Sequence, residues 1–509
     1  MKLNLLFIIA LFVCALSYGQ GELDAYRYSN SDLSGTARGQ AMGGAFGALG
    51  GDVTGVAINP AGIGIYRSSE VVANMSVTSP VDGYLESDTK FHFDNLSYIS
   101  YYPFVSGSML SLNFGFNYSR IKSFDQRYST SSREMNSSLT DYMAALTKGI
   151  NNVALSSGNP YSNSNIPWLS ILAWDGYLID PKAGKNDQYE SILNLGELVR
   201  PSLKVSEKGK VESYDFTIGS NIANTFYWGA TLTIIDLLYV MRSEYDEEFL
   251  GDGGGFNLTN YLETKGSGLQ MKLGVIFKPT DALRLGLSYH TPVWYSMTDF
   301  YHAGLTPRGI YDDDGNLAKY TETPTPESTL EYNLRTPGSL TFSIAAVLGT
   351  QAIVSLDYEN KNYASMNLKD RDGHDWVDDN GFIKEDYKNT STIRAGFEFR
   401  FTPQFSGRLG YAWAQNPYRS DIVTTGERVV TAGTVPHFAL PGNVNYLTAG
   451  LGFRFTPQFY GDIALVLRTQ DDNLYYFPQD IDGAALADSF QGTFTNKTLK
   501  ALLTLGYKF

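Results

Sequence analysis

The chain has 509 residues, 14% of them aromatic and only 18% charged, with 50 glycines and a formal net charge of −14. That balance excludes nucleic acid as a partner, because phosphate binding needs basic patches, and it fits acidic outer loops able to hold calcium or another divalent ion. The single cysteine, Cys14, lies in a leader expected to be removed, which leaves the mature chain without disulfide or thiol chemistry.

Residues 1–19 read as a signal peptide. Lys2 supplies the positive start, Leu3 through Leu16 is almost unbroken apolar sequence, and Ser17-Tyr18-Gly19 precedes a cleavage point before Gln20. The apolar run is shorter than the ~20 residues of a membrane helix. Val13 ahead of Cys14 departs from a lipidation motif. No later segment reaches ~18 consecutive apolar residues. The expected class is all-β: a transmembrane antiparallel barrel in the bacterial outer membrane, crossing it many times. Such barrels hide apolar surface in alternation and use aromatics as interfacial girdles.

Residues 20–69 are rich in Gly and Ala and do not keep strand alternation, so they read as a separate N-terminal element ahead of a barrel at 70–509. Period-two patterning then follows. Leu110, Leu112, Phe114, Phe116 and Tyr118 alternate with Ser111, Asn113, Gly115, Asn117 and Ser119. The same rhythm runs through 269–277, 283–290, 392–401 and 499–509. Short turns are expected near Pro103–Ser106, Ala223–Thr225, Pro279–Asp281, Leu348–Thr350, Thr402–Phe405 and Thr456–Gln458. Longer polar connections are expected at 82–90, 123–210, 246–262, 302–327, 361–387, 417–443 and 478–493. Short inner turns and long outer loops are the habit of outer-membrane barrels, and counting between them gives about fourteen strands. The run Arg400-Phe-Thr-Pro-Gln-Phe405 recurs at Arg454–Phe459, with Pro in a tight turn where its missing N–H breaks no ladder bond.

The 123–210 connection is too long for a plain loop and predicts an inserted, partly helical outer element. Leu139, Tyr142, Met143, Leu146, Ile150 and Val153 recur at helical spacing; Trp168, Leu169, Ile171, Leu172 and Trp174 form a second apolar cluster. Apolar surface of this extent implies packing on itself or on a ligand.

The glycine-rich run from Ser34 to Asp52, followed by Val56-Ala-Ile-Asn-Pro-Ala-Gly-Ile-Gly64, resembles the N-terminal hatch of the FadL/TodX family of outer-membrane channels. Its matching core is the glycine run with Asn59, Pro60, Ala61 and Gly62. The resemblance extends in layout over the whole mature chain, although only the hatch matches closely. It implies passive uptake of hydrophobic small molecules such as long-chain fatty acids or hydrocarbons. It also implies a plug in the lumen that shifts, and sideways exit through the wall at a kinked strand, which the sequence does not locate. FadL-like barrels also serve as accessory or shuttle subunits of secretion and barrel-assembly complexes, and that role is the alternative. Implied partners are outer-membrane lipid and lipopolysaccharide, a hydrophobic ligand, and the assembly machinery that reads a terminal aromatic such as Phe509.

Arg284, Arg394, Arg400, Arg408 and Arg454 are expected on the lumen face. Arg284 and Arg394, with Trp168 and Trp174, are the candidate ligand contacts, and pairing with Asp357, Glu359 and Glu398 is the favoured reading of the arginines. Asp370–Asp375 and Asp312–Asn316 resemble fragments of calcium loops, yet the spacing fails and solvated loops are the better reading. The glycine run lacks the context of a phosphate cradle. His92, His290, His302, His374 and His437 fall in no ligand or triad spacing, and Ser288 beside His290 is commonplace strand geometry, so no enzyme activity, metal or cofactor is expected.

Overall fold

A computed structural model describes residues 21–81, 85–86, 88–194, 196–251, 253–311, 317, 322–419, 422, 431, 433–481, 484–485 and 489–509. The expected signal peptide and the Asp312–Asn316 loop fall outside them. The wall runs in chain order. Its first strands are β1 (Glu70–Pro80), β2 (Lys90–Pro103) and β3 (Met109–Ser123, resuming at Gln126–Ser131). Then come β4 (Val199–Ile222), β5 (Phe226–Phe249), β6 (Gly255–Phe277) and β7 (Leu283–His290, resuming at Trp294–Arg308). The second half is β8 (Ser328–Arg335, resuming at Ser339–Leu348), β9 (Ala352–Asn362), β10 (Asn389–Arg400) and β11 (Phe405–Ala414). It ends with β12 (Phe438–Arg454), β13 (Phe459–Tyr475) and β14 (Phe490–Lys508). All pairs are antiparallel, and β14 returns to β1 with Glu70 opposite Lys508, so the sheet closes into a fourteen-stranded barrel. Closure removes the open edges that lipid could not satisfy. None of the described helices is long and apolar enough to cross a membrane.

The apolar face changes side along the strands. In the lower part of β5, Leu232 and Ile234 face outward while Thr231 and Thr233 face the lumen. Higher up, Ile235, Leu237, Tyr239 and Met241 are buried inside while Asp236 and Arg242 face out. β6 does the same, with Leu269, Met271 and Leu273 outside below, and Phe256, Leu258 and Leu262 inside above. The outward apolar belt marks the hydrocarbon, ~25 Å tall in such barrels. A strand of 24 residues such as β5 spans roughly 80 Å at ~3.3 Å per residue. β4 to β7 therefore stand well above the lipid as a wall around a water-excluded core.

That core corrects the expected loop boundaries. Residues 123–210 are wall at both ends, within β3 and β4, and the expected loop at 246–262 shrinks to a turn between β5 and β6. Above the lipid the inside is apolar and the outside polar, so the alternation inverts and no longer reads as membrane wall. The insert itself carries α4 (Leu139–Leu146), the short α5 (Asn152–Leu155) and α6 (Trp168–Asp175). α4 starts on a capping box of Ser138 and Asp141, and the buried Glu247 of β5 accepts from Leu139 N at 3.1 Å. Leu139, Met143, Leu169, Ile171 and Leu172 join Tyr239, Tyr245, Leu258 and Leu305 in one buried cluster. Val153, expected on the same apolar stripe, is instead 72% exposed.

Candidate functional site

Inside the barrel lies the N-terminal segment, in short pieces. They are α1 (Glu22–Ser29), α2 (Ala37–Ala41), α3 (Val53–Ile58) and a 3₁₀ turn (Pro60–Ile65). α2, α3 and the 3₁₀ turn each have a side-chain cap: Thr36 accepts from Gly39 N, Asp52 from Thr54 N and Asn59 from Ala61 N. Pro60 opens the 3₁₀ turn, where a missing N–H costs nothing. Gly43, Gly44, Gly50 and Gly51 hold positive φ and let the chain double back in little space.

Residues 35–66 are fastened to the wall on all sides. Asp357 of β9 accepts from Phe46 N at 3.0 Å and Gly47 N at 2.9 Å. Thr448 of β12 accepts from Gly43 N and donates to Ala41 O. Asn113 of β3 donates to Ile63 O, Arg284 of β7 to Leu49 O, and Asn59 to Val275 O of β6. Arg38 pairs with Glu398 at 2.9 Å, and Arg408 ties Glu398 to Asp462. Wall glycines admit the backbone of this inner segment, called the plug below only for its place in the lumen: a Cβ on Gly229 would stand 2.3 Å from Pro60 O, and one on Gly286 2.5 Å from Gly47 O.

Residues 26–34 are held differently. They form a partition between two cavities. The outer cavity is about 380 Å³ and mixes apolar and charged lining, with Leu85, Phe124 and Tyr128 beside Arg27, Lys122 and Lys500. The inner one is about 260 Å³ and likewise mixed, with Val53, Ile235 and Val293 beside Lys272, His290, Glu359 and Arg394. Tyr26, Asn30, Asp32, Leu33 and Ser34 face both. Tyr26 sits among Tyr363, Tyr387 and Tyr418, and Tyr28 among Phe124 and Tyr239, so aromatic contacts carry much of the partition's hold.

Among the described residues the wall has a bounded window beside the outer cavity. β2 and β3 pair upward only as far as Asn95 opposite Ser119. Above that point, Lys90–Phe93 pair with β1 alone and Arg120–Ser123 with β4 alone. Bulges at Asn74/Met75 against β2 and at Arg120/Lys122 turn the two strands apart. The wall meets again higher up, where Glu86 N donates to Arg127 O at 2.8 Å and Leu85 bridges Tyr128. The window sits beside the lipid belt, since Phe91, Phe93 and Leu96 face outward on β2. A second break, at Thr291–Val293 of β7 and Thr336–Gly338 of β8, stays sealed: Thr336 N donates to Val293 O, and Val293 N to the Thr336 hydroxyl.

The residues singled out from sequence are dispersed. Asn59, Pro60, Ala61 and Gly62 form the plug's capped turn against β5 and β6. Arg394 lines the inner cavity and pairs with Glu359 at 2.6 Å. Arg284 is spent on the plug carbonyl of Leu49. Arg400 and Arg454 are exposed at the lower strand ends rather than in the lumen, because the strands finish there. Trp168 and Trp174 line neither cavity; Trp168 packs on Tyr161 and Tyr301 in the outer core. Asp370 and Asp375 pair with His374, Lys369 and Asn367. Among the described residues no group of three His, Cys, Asp or Glu is placed to hold a metal. His290 meets the plug at Ile58 O, 2.9 Å away, and not Ser288. Sequence reading missed Asp94 and Arg120, which a slip in alternation would have flagged: Phe91 and Phe93 are two apart, Phe93 and Leu96 three; Asp357, expected to pair with an arginine, accepts from Phe46 N and Gly47 N.

No protein-family model and no curated relative matches the sequence. Solved structures do match in shape. A FadL homologue from Pseudomonas aeruginosa aligns over 94% of this chain and 99% of its own, with 11% identity and a TM-score of 0.54. The toluene transporter TbuX of Ralstonia pickettii aligns over 94% and 98%, with 13% identity and a TM-score of 0.50. At such identities the likeness speaks for the fold. The chain has the FadL-type fold, a closed fourteen-stranded transmembrane β-barrel with its N-terminal segment folded inside.

Proposed function

We propose that the protein is an outer-membrane channel for passive uptake of hydrophobic small molecules, which enter the outer cavity and leave sideways through the β2–β3 window. One observation carries this reading: the outer cavity is lined by His92, Arg120 and Lys122 at the window, while the floor beneath is sealed by a plug bonded to the wall. A straight route would have to break those bonds, whereas a sideways route needs only the unpaired edges to part. Apolar cargo that leaves sideways enters lipid and never faces the aqueous space below. The structures it resembles include a toluene transporter, which supports cargo of hydrocarbon character, with long-chain fatty acids the amphiphilic counterpart suited to the mixed lining.

The test is uptake of a fluorescent fatty acid and of a toluene-like probe into proteoliposomes. Rates above protein-free vesicles support the channel. Rates equal to empty vesicles, with co-purification in a stable multiprotein complex, would overturn it in favour of an accessory subunit. Deletion of residues 20–60 separately tests the plug: small-ion conductance of the purified barrel is expected to rise, and an unchanged conductance would sink the plug assignment.

A further inference from the structure

The window in the wall is filled by charge. Between its borders the edges expose backbone groups that hydrocarbon cannot satisfy. Arg120 of β3 reaches Asp94 of β2 at 2.6 Å, across the opening. Lys500 of β14 approaches the other oxygen of Asp94 at 3.5 Å, and His92 touches Arg120. Asp94 is 3% exposed; Asp88 and Asp125 also lie between the window's borders, and Asp94 is the acid joined to Arg120 on the opposite edge. One acid thus holds two cations together at the place where the ladder is missing.

We propose that Asp94 is the latch of this window: its pairing with Arg120 and Lys500 holds the β2 and β3 edges together at rest, and cargo leaves when that cluster parts. The proposal rests on the sideways route and adds what regulates it. Coulombic closure suits the site. A hydrogen-bonded ladder would be permanent, and an apolar seal would admit lipid tails. A charge cluster excludes tails at rest and can be separated by one displaced side chain. Without Asp94, Arg120 and Lys500 would repel each other in a poorly solvated place, and the edges would spread.

Opening can be read without any cargo. The mature sequence has no cysteine after the expected cleavage point, so Ile121→Cys places a single thiol on the cavity side of the window. In nanodiscs containing a maleimide-bearing lipid, labelling of this thiol reports lipid access through the wall. Asp94→Asn, close in shape, is expected to raise the labelling rate on the order of tenfold. Arg120→Gln should act in the same direction, and Arg120→Lys should stay near the parent. Equal labelling in the parent and in both neutral variants, each shown to be folded by its heat-dependent gel mobility, overturns the latch. Uptake of the fluorescent fatty acid is measured on the same proteins. If labelling responds and no variant transports, the latch stands as a wall gate and the channel reading fails; if all transport alike and labelling does not respond, the channel stands and the latch fails.

Discussion

Asp357 in the wall accepts the backbone N–H of Gly47 in the plug at 2.9 Å, with Phe46 N 3.0 Å from the same oxygen. The bond joins residues 310 positions apart and bridges two parts of the molecule that share no secondary structure. Asp357→Ala would leave both donors without this acceptor in a buried site, at a cost of about 1–3 kcal/mol each. Lower thermal stability and more frequent small-ion openings in planar bilayers are expected. Asp357→Asn keeps an acceptor and should stay near the parent; equal conductance in all three would mean that this bond does not hold the plug.

The wall glycines give a sharper steric test. At Gly229 a methyl group would meet the backbone of Pro60 at 2.3 Å, and backbone cannot rotate away as a side chain can. Gly229→Ala should therefore displace the 3₁₀ turn and destabilise the barrel by about 1–3 kcal/mol. Gly381→Ala is the control. It lies in α7 (Val377–Asp386) with nothing within 4 Å of its Cβ position, and a neutral or slightly stabilising effect, ~0.5–1 kcal/mol, is expected. Denaturation midpoints of the two variants decide it.

The outer core makes a prediction about the tryptophans. Trp168 packs 5.0 Å from the Tyr301 ring and faces neither cavity. Trp168→Ala is expected to lower stability by about 3–5 kcal/mol while leaving the affinity for a fluorescent fatty acid unchanged. A large loss of affinity with normal stability would return this residue to the binding site.

The contact between α1 and α7 should depend on pH. The hydroxyl of Tyr387, just past α7, donates to Glu22 O at 3.0 Å. Burial, then the charge of Asp386, holds the Glu22 carboxyl well above the usual carboxylate range, and burial pushes Asp379 up to about 7. Both groups bind protons more tightly when the contact is made. Their support is complete below the ordinary carboxylate range near ~4 and is lost as pH rises through about 7. Amide exchange in Val377–Asp386, corrected for intrinsic rates, should be slower at about pH 5 than at about pH 8. Asp379→Asn should weaken that difference.

The membrane wall was legible in the sequence because lipid outside and polar groups inside enforce a single phase of alternation. The turns at Ala223–Thr225 and Pro279–Asp281 could be placed for the same reason. The upper halves of β4 to β7 were not legible, since the phase reverses at Ile234/Ile235 and the exposed face there is charged. The plug was visible through its glycines and Asn59-Pro60, yet its partners were not. Gly274 and Gly286 occupy plain lumen positions in the pattern, and nothing local says that Asn59 lies against the one and the Gly47 backbone against the other. Arg284 and Arg394 were placed correctly on the lumen face. Which of them meets the plug and which a cavity depends on long-range register that one strand does not encode.

The bond from Ala37 N to Thr504 Oγ1 spans 467 residues. It ties an early-made part of the chain to the last strand. Loop-closure entropy is not the obstacle, because each doubling of separation adds only ~0.6 kcal/mol; the sequence of events is. The plug finds its acceptors on β9, β12 and β14 only after those strands exist, so docking and circle completion belong to one late step of biogenesis. A chain stopped before β14 would leave Ala37 N without its acceptor and β1 without its closing partner.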